Sequence, residues 1–283
     1  MKKIPQLFLI TTILLYSILI FSGCFDFCNT AQPYLLLYAF EEEGQLLVGE
    51  MTIEKSEKVF GRDVFIGKLA GKDIILAESG MGLTNAAMTT QKMIDKYNPR
   101  VVLFSGIAGG IDSSVNIGDI VVCDKWATHD YGYYGTEGYS VMPVVIVEPE
   151  KDSTVKKMFF EINDSLMIIA RKLSDISFDF DSIGSRVPRL IVGGVGVSGN
   201  SFIDQVEKRL WLSEQFSALT TDMETAAVAQ VCDINGIPFI GFRSASDLAG
   251  GSGSESAHTE LDRFFKVAAN NSAKVVVKYL EIL

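Results

Sequence analysis

Between Thr220 and Gly251 the sequence reads TTDMETAAVAQVCDINGIPFIGFRSASDLAGG, with Glu224 near one end and Arg243, Ser246 and Asp247 near the other. Two carboxylates and a guanidinium at one rim suit a reaction that protonates a leaving group while positive charge develops beside it. Cleavage of a glycosidic bond is such a reaction, because its transition state resembles an oxocarbenium ion. The same residue types also fit plainer roles, Glu224 as a first-turn acid favoured by a helix dipole and Asp247 as a turn or N-cap residue.

The elements that must position these residues follow from spacing. Ala226, Ala227, Val228, Val231 and Ile234 share one helical face, and Gly236-Ile237-Pro238 stops that helix. Pro238 to Ala245 is short and nearly all apolar, a buried strand of the kind found in parallel sheets. Ligands of such sheets bind beyond the carboxyl ends of the strands, where Arg243, Ser246 and Asp247 fall. The preceding run Ser217 to Thr221 brings Glu224 to the same rim. Tyr34 to Tyr38 is another strand, emptying into Ala39-Phe40-Glu41-Glu42-Glu43-Gly44. Acids at a strand-to-helix turn favour the helix start, so two of the three are expected in solvent and the third facing inward.

Two further strands, Asp73 to Glu78 and Val101 to Phe104, run into Ser79-Gly80-Met81-Gly82 and Ser105-Gly106-Ile107-Ala108-Gly109-Gly110, the first followed by a helix through Tyr97. Glycine loops after strands let backbone N–H groups approach an anion or a sugar hydroxyl. Neither has the context of a dinucleotide fingerprint or a P-loop. Ile117 to Val122 then leads into a loop rich in rings, with Trp126, His129, Tyr131, Tyr133, Tyr134 and Tyr139. Such a loop covers an apolar ligand or fills a subunit contact. Ser153 to Leu173 is expected as an amphipathic helix, Ser174 to Arg186 as a surface connection and Arg189 to Val197 as a buried strand. That strand empties into Ser198-Gly199-Asn200-Ser201-Phe202-Ile203, where the Phe202 ring is placed to stack on a flat base or to act as a hydrophobic staple. Gly250 to Ser256, a lid or a plain connection, precedes a final helix over Leu261 to Leu280.

The chain opens with Met1-Lys2-Lys3, an apolar run from Leu7 to Phe21, and Ser22-Gly23-Cys24. A basic head, about fifteen apolar residues and small residues before a cleavage point describe an export signal, with an uncleaved single-span anchor as the alternative. The Ser-Gly-Cys ending resembles a bacterial lipobox, which implies lipidation at Cys24 and an exported, membrane-anchored protein. Losing Lys2 and Lys3 with residues 1–23 takes the net charge from −10 to −12. So acidic a body, with no basic stripe, argues against nucleic acid as a partner. Cys123 and Cys232 read as buried thiols. With His129 and His258 as the sole histidines, a catalytic metal is not expected, nor is a cofactor.

AFEEEG at Ala39, SGMGLTNAA at Ser79, SGIAGG at Ser105, NIGDIVV at Asn116, SGNSFI at Ser198, DMETAAVAQVC at Asp222 and FRSASD at Phe242 occur in the order seen in the nucleoside phosphorylase superfamily. The chain resembles its hydrolytic branch, the 5'-methylthioadenosine/S-adenosylhomocysteine nucleosidases, from about Tyr34 to the C-terminus. The resemblance implies an α/β fold of three layers, α/β/α, around a mixed central sheet, paired as a homodimer. Together with the leader it divides the chain into a signal peptide over 1–23, a tether over 24–33 and a catalytic domain over 34–283.

The resemblance further implies that Asp247 protonates purine N7 while Glu43, with Arg243 nearby, deprotonates the attacking water. Met223 and Glu224 would clamp the ribose, Phe202 would stack on the purine and the Ile203 backbone would bond its edge. Ile107, Phe40, Ser246 and Tyr133 would complete the nucleoside pocket, with Tyr131, Tyr133 and Tyr134 walling the 5' end, often from the neighbouring subunit. Three positions depart from the family pattern. Asn200 stands where Asp is common, which bears on support of the general acid; Ile107 replaces a small polar residue; and the loop from Thr128 to Pro149 is not the usual phenylalanine-bearing one. Two rivals remain. A phosphorylase would carry a Gly-Asp-Pro-x-Arg type turn where Phe40-Glu41-Glu42-Glu43 here repels phosphate. A non-catalytic nucleoside-binding or adhesin lipoprotein would have no need of both acids.

Overall fold

The computed structural model describes residues 32–148 and 153–283. The expected signal segment 1–23, Cys24 and all but the last two residues of the 24–33 tether lie outside the described residues.

Strand β1 (Tyr34–Tyr38) is buried at all five positions, because it lies inside the sheet with a parallel neighbour on each side. Helix α1 (Glu41–Glu50) follows, its first turn holding Glu41, Glu42 and Glu43 at the positive end of the helix dipole. Strands β2 (Thr52–Val59), β3 (Arg62–Leu69) and β4 (Lys72–Glu78) form an antiparallel meander, and β4 returns beside β1. Helix α2 (Leu83–Tyr97) leads to β5 (Val101–Gly110). Strand β5 absorbs the whole Ser105–Gly110 stretch that spacing assigned to a loop. Its glycines are extended by pairing along their full length with the later strand Phe239–Leu248, and tertiary pairing here overrides the weak strand preference of glycine.

Beyond β5 come β6 (Ile120–Val122), β7 (Lys125–Thr128), the hairpin β8 (Gly132–Gly135) and β9 (Gly138–Val141), and the hairpin β10 (Val144–Glu148) and β11 (Ser153–Lys157). Next are β12 (Phe160–Glu161) and helix α3 (Asp164–Lys172). The helix expected over Ser153–Leu173 is therefore α3 alone. Residues 153–157 alternate between half-buried and exposed and pair with β10, a two-residue period that a helical reading of Val155 and Met158 concealed. Asn163 fixes the true start by accepting the Ser165 N–H. The strand expected over Arg189–Val197 divides into β13 (Leu190–Val192) and β14 (Val195–Ser198), because Gly193 and Gly194 take φ of 115° and 85°. Helix α4 (Val206–Phe216), β15 (Ala218–Asp222), α5 (Thr225–Asn235) and β16 (Phe239–Leu248) complete the sheet side, and α6 (Ala257–Ile282) closes the chain. The last helix begins at Ala257, behind the Ser256 cap and four residues before the expected Leu261.

The sheet is mixed and flanked by helices. Its central path runs β12-β7-β14-β15-β5-β1-β4-β3-β2, and β16 bridges β5 and β6. Helix α6 packs on β16, β5 and α1, and α2 packs on α5. No helix among the described residues is long and apolar enough to cross a membrane.

Candidate active site

Strand β5 is the backbone of the site. Its pairing with β1 ends at Leu37 opposite Phe104, whereas its pairing with β16 continues to Gly110. The β5 edge is thus uncovered at Ser105–Ile107, at the carboxyl end of β1, and α1 starts there. Glu43 enters this gap. It is 2% exposed, its Oε1 accepts the Ile107 N–H at 2.8 Å and its Oε2 accepts the Ala39 N–H at 2.6 Å. Glu41 and Glu42 are exposed, with Glu42 also among the residues that line the cavity described below. Burial pushes the Glu43 carboxyl up to about 6, against the opposing pull of Arg243. Gly106 is required here, because a Cβ on it would overlap Arg243 Nη1 and come within 2.6 Å of Glu43 Oε1.

Arg243 projects from β16 and is fully buried among three carboxylates. Its Nε lies 2.8 Å from Asp222 Oδ2, its Nη1 3.7 Å from Glu43 Oε1 and its Nη2 3.6 Å from Glu224 Oε2. Its plane sits 4.0 Å over the Phe104 ring. Asp222, at the end of β15, also accepts the Glu224 and Thr225 N–H groups just ahead of α5, and it takes the hydroxyls of Ser198 and Thr225. Glu224 is the residue just before α5, 5% exposed, and its Oε1 accepts the Gly82 N–H at 2.8 Å. Burial raises its carboxyl pKa well above the usual range. One guanidinium thus faces three acids on the pocket floor.

Asp247 stands at the far end of β16, 2% exposed. Its Oδ2 accepts the Ser246 hydroxyl at 2.8 Å, and its Oδ1 makes no hydrogen bond within the described residues. Burial lifts its carboxyl to about 7, so it carries a proton up to near neutrality. The acids open into one cavity of about 380 Å³. Phe40, Met81, Ile107, Phe202, Ile203 and Met223 line it, with Leu261 and Phe265 of α6. The Ile203 carbonyl accepts the Gly250 N–H at 3.0 Å, which ties the turn carrying Phe202 to the end of β16.

Of the residues picked out by sequence, Glu43, Glu224, Asp247, Ser246, Phe40, Ile107, Met223, Phe202 and Ile203 line this cavity, and Arg243 lies beneath it. Tyr133 does not. It sits on the β8–β9 hairpin, 63% exposed and absent from the cavity lining, because a self-paired two-stranded hairpin carries it away from the central sheet. Asn200 does not support Asp247 either. Its Oδ1 accepts the Leu83 N–H at the start of α2, and its own N–H goes to Asp130. Asp222 is the functional residue that spacing overlooked. The available signal was an acid directly after a strand with a threonine three residues on, the pattern of a helix N-cap.

A sequence profile of the Phosphorylase superfamily matches residues 33–281. A 5'-methylthioadenosine/S-adenosylhomocysteine nucleosidase of Bacillus cereus (strain B4264) is 32% identical over 246 residues, covering 87% of this chain and 96% of the relative. Among solved structures, the nucleosidase of that name from Neisseria meningitidis, in complex with methylthio-immucillin-A, superposes with a TM-score of 0.74 at 28% identity. That alignment covers 89% of this chain and 100% of the other. Futalosine hydrolase of Helicobacter pylori strain 26695 also aligns with a TM-score of 0.74, at 27% identity over 90% of this chain and 100% of the other.

Proposed function

The chain belongs to the phosphorylase superfamily, and from that premise we propose that it hydrolyses the N-glycosidic bond of adenine nucleosides, 5'-methylthioadenosine and S-adenosylhomocysteine, with release of adenine. The observation that carries this reading is the pairing in one cavity of two buried acids of opposite duty. Asp247, lifted to about 7 by burial, keeps a proton and a free Oδ1. Glu43, held lower at about 6 by Arg243 and two backbone N–H groups, ionises first.

In this mechanism Asp247 gives its proton to N7 of the purine as the C1'–N9 bond breaks, so the bonding pair leaves with a neutral base. The ribosyl cation that develops lies over the carboxyl groups of Glu43, Asp222 and Glu224 that surround Arg243. Water attacks C1' and passes its proton to Glu43, and Glu224 holds the ribose hydroxyls beside Met223. Phe202 stacks on the base and Ile203 meets its edge.

Water rather than phosphate is the acceptor on electrostatic grounds. The first N–H groups at the start of α2 are already taken, Gly82 by Glu224 and Leu83 by Asn200. Arg243, the cation beneath the cavity, is held by three carboxylates. The assay is adenine release from 5'-methylthioadenosine in phosphate-free buffer, with the free 5-methylthioribose as the second product. A requirement for phosphate, with a ribose 1-phosphate formed, would overturn the reading.

Two further parts of the proposal rest on other observations. The β8–β9 hairpin presents Tyr133 and Tyr134 at 63% and 81% exposure, a surface suited to walling the 5' end of a nucleoside held by a second copy of the chain in a homodimer. The leader and Ser-Gly-Cys ending support an exported protein anchored by lipid at Cys24. Sedimentation of the domain from residue 34 tests the first. For the second, Cys24→Ser should move the protein from the membrane to the soluble fraction, and retention of the variant in the membrane would refute it.

A further inference from the structure

Helix α6 carries a buried acid that the mechanism above leaves unused. Glu260 lies in its first turn at 2% exposure. A first-turn acid commonly serves its own helix dipole from the surface. Glu260 instead turns away from its helix: Oε2 accepts the Leu248 N–H at 2.8 Å and Oε1 the Ser252 N–H at 2.9 Å. Leu248 is the residue after Asp247, and Ser252 belongs to the glycine-rich turn between β16 and α6. One carboxylate thus joins the peptide of the general acid to the turn beneath the cavity's helix.

We propose that Glu260 is a positioning residue for Asp247, which fixes the peptide following the acid and, as a buried anion, holds the proton on it. The inference rests on the assignment of Asp247 as the general acid. The charged groups around Asp247 come from the elements packed against it. Strand β16 supplies Arg243, which faces Glu43, Asp222 and Glu224 instead. Strand β5 carries no charged side chain over Val101–Gly110. The turn before α4 supplies Asp204, whose Oδ1 accepts the Ala257 N–H at 2.7 Å. Helix α4 supplies Arg209, bonded to the Gly251 carbonyl at 3.2 Å. Helix α6 supplies Glu260 together with the exposed pair His258 and Asp262. After burial itself, the charges of Glu260 and Asp204 raise the Asp247 pKa, against the Ser246 hydroxyl bond. Glu260 is the anion bonded to the neighbouring peptide.

The test follows the Asp247 carboxyl directly by 13C NMR titration of the full chain, the signal being identified by its loss in Asp247→Asn. In Glu260→Gln the Asp247 midpoint is expected to fall by about one pH unit, the usual scale for removing a nearby like charge. Glu260→Asp, which keeps the charge, should restore it. With 5'-methylthioadenosine, the alkaline limb of kcat/KM should move down with the midpoint while the acid limb stays. An unchanged midpoint in a folded Glu260→Gln would overturn the proposal even if activity fell. Should that variant not fold, the native protein decides, since the inference requires an ionised Glu260 carboxyl at a pH where Asp247 is still protonated, and a protonated Glu260 there would refute it. The titration needs no turnover, so a protein inactive on nucleosides would refute the function without deciding this point.

Discussion

Arg243 Nε meets Asp222 Oδ2 at 2.8 Å, with both side chains withdrawn from water. The same aspartate accepts the Thr225 N–H at the start of α5, and the same guanidinium spans Glu43 and Glu224, so the pair couples the turn carrying the ribose acid to the strand carrying the general acid. Without Asp222, Arg243 keeps only its longer contacts to Glu43 and Glu224, and the buried N–H and hydroxyl groups that Asp222 accepts lose their partner, at a cost of about 3–5 kcal/mol. Asp222→Ala is therefore expected to lower stability by that amount in urea unfolding and to lose activity with it. A loss under about 1 kcal/mol would show that the pair does not organise the site.

Glu43→Gln and Asp247→Asn each remove one proton-transfer group while keeping its shape. Turnover of 5'-methylthioadenosine should fall by roughly two to four orders of magnitude in each, with the far-UV CD spectrum unchanged. Near-native turnover in both variants would remove these residues from the chemistry and favour the non-catalytic reading.

The pH dependence has a defined window. Glu43 must be ionised, which needs a pH above about 6, and Asp247 must be protonated, which needs a pH below about 7. A bell-shaped kcat/KM profile centred between the two is expected. A rate still rising at about pH 9 would contradict the assignment of Asp247 as the acid.

Stability carries the same signature with a definite sign. The Asp247 carboxyl is raised from 3.8 to about 7, so between those values the folded chain binds a proton that the unfolded chain has lost. Its contribution is present below the lower value and is lost as pH rises through the higher one, on the order of 1.4 kcal/mol for each pH unit that separates the two values. Asp247→Asn should therefore raise the Tm relative to the native protein at about pH 8 and lose that advantage at about pH 4. An equal Tm difference at both would show that Asp247 is not buried as an acid.

The substrate preference tests the hairpin. An apolar wall at the 5' end favours a methylthio group over a hydroxyl by about 1–3 kcal/mol. kcat/KM should fall from 5'-methylthioadenosine to adenosine, with no action on AMP, and the Tyr133→Ala, Tyr134→Ala double variant should narrow the difference. A preference for inosine would remove the adenine assignment. An unaltered preference in the double variant would place the 5' subsite within one chain, among Met81, Leu261 and Phe265.

The sequence alone determined that Glu224, Arg243 and Asp247 share one rim and that one acid of Glu41 to Glu43 faces inward, and the family resemblance singled out Glu43. Each follows or ends a short apolar run, and in an alternating α/β chain the carboxyl ends of such runs converge. That argument uses local periodicity and chain order, which are visible without coordinates. The family was legible from motifs set in order along the chain, and the resemblance implied its mixed sheet. The tertiary structure decided what depends on contacts between distant segments. The glycines of Ser105–Gly110 became strand because β16 pairs with them, and Ser153–Lys157 became strand because β10 does. Asp222 reaches Arg243 across 21 positions, and Glu260 reaches Leu248 across a glycine turn whose path no local preference fixes. The position of Tyr133 had the same cause. A hairpin that satisfies its own backbone hydrogen bonds carries no local signal of which surface it will lie against, so the sequence supplied its rings and the fold alone supplied their place.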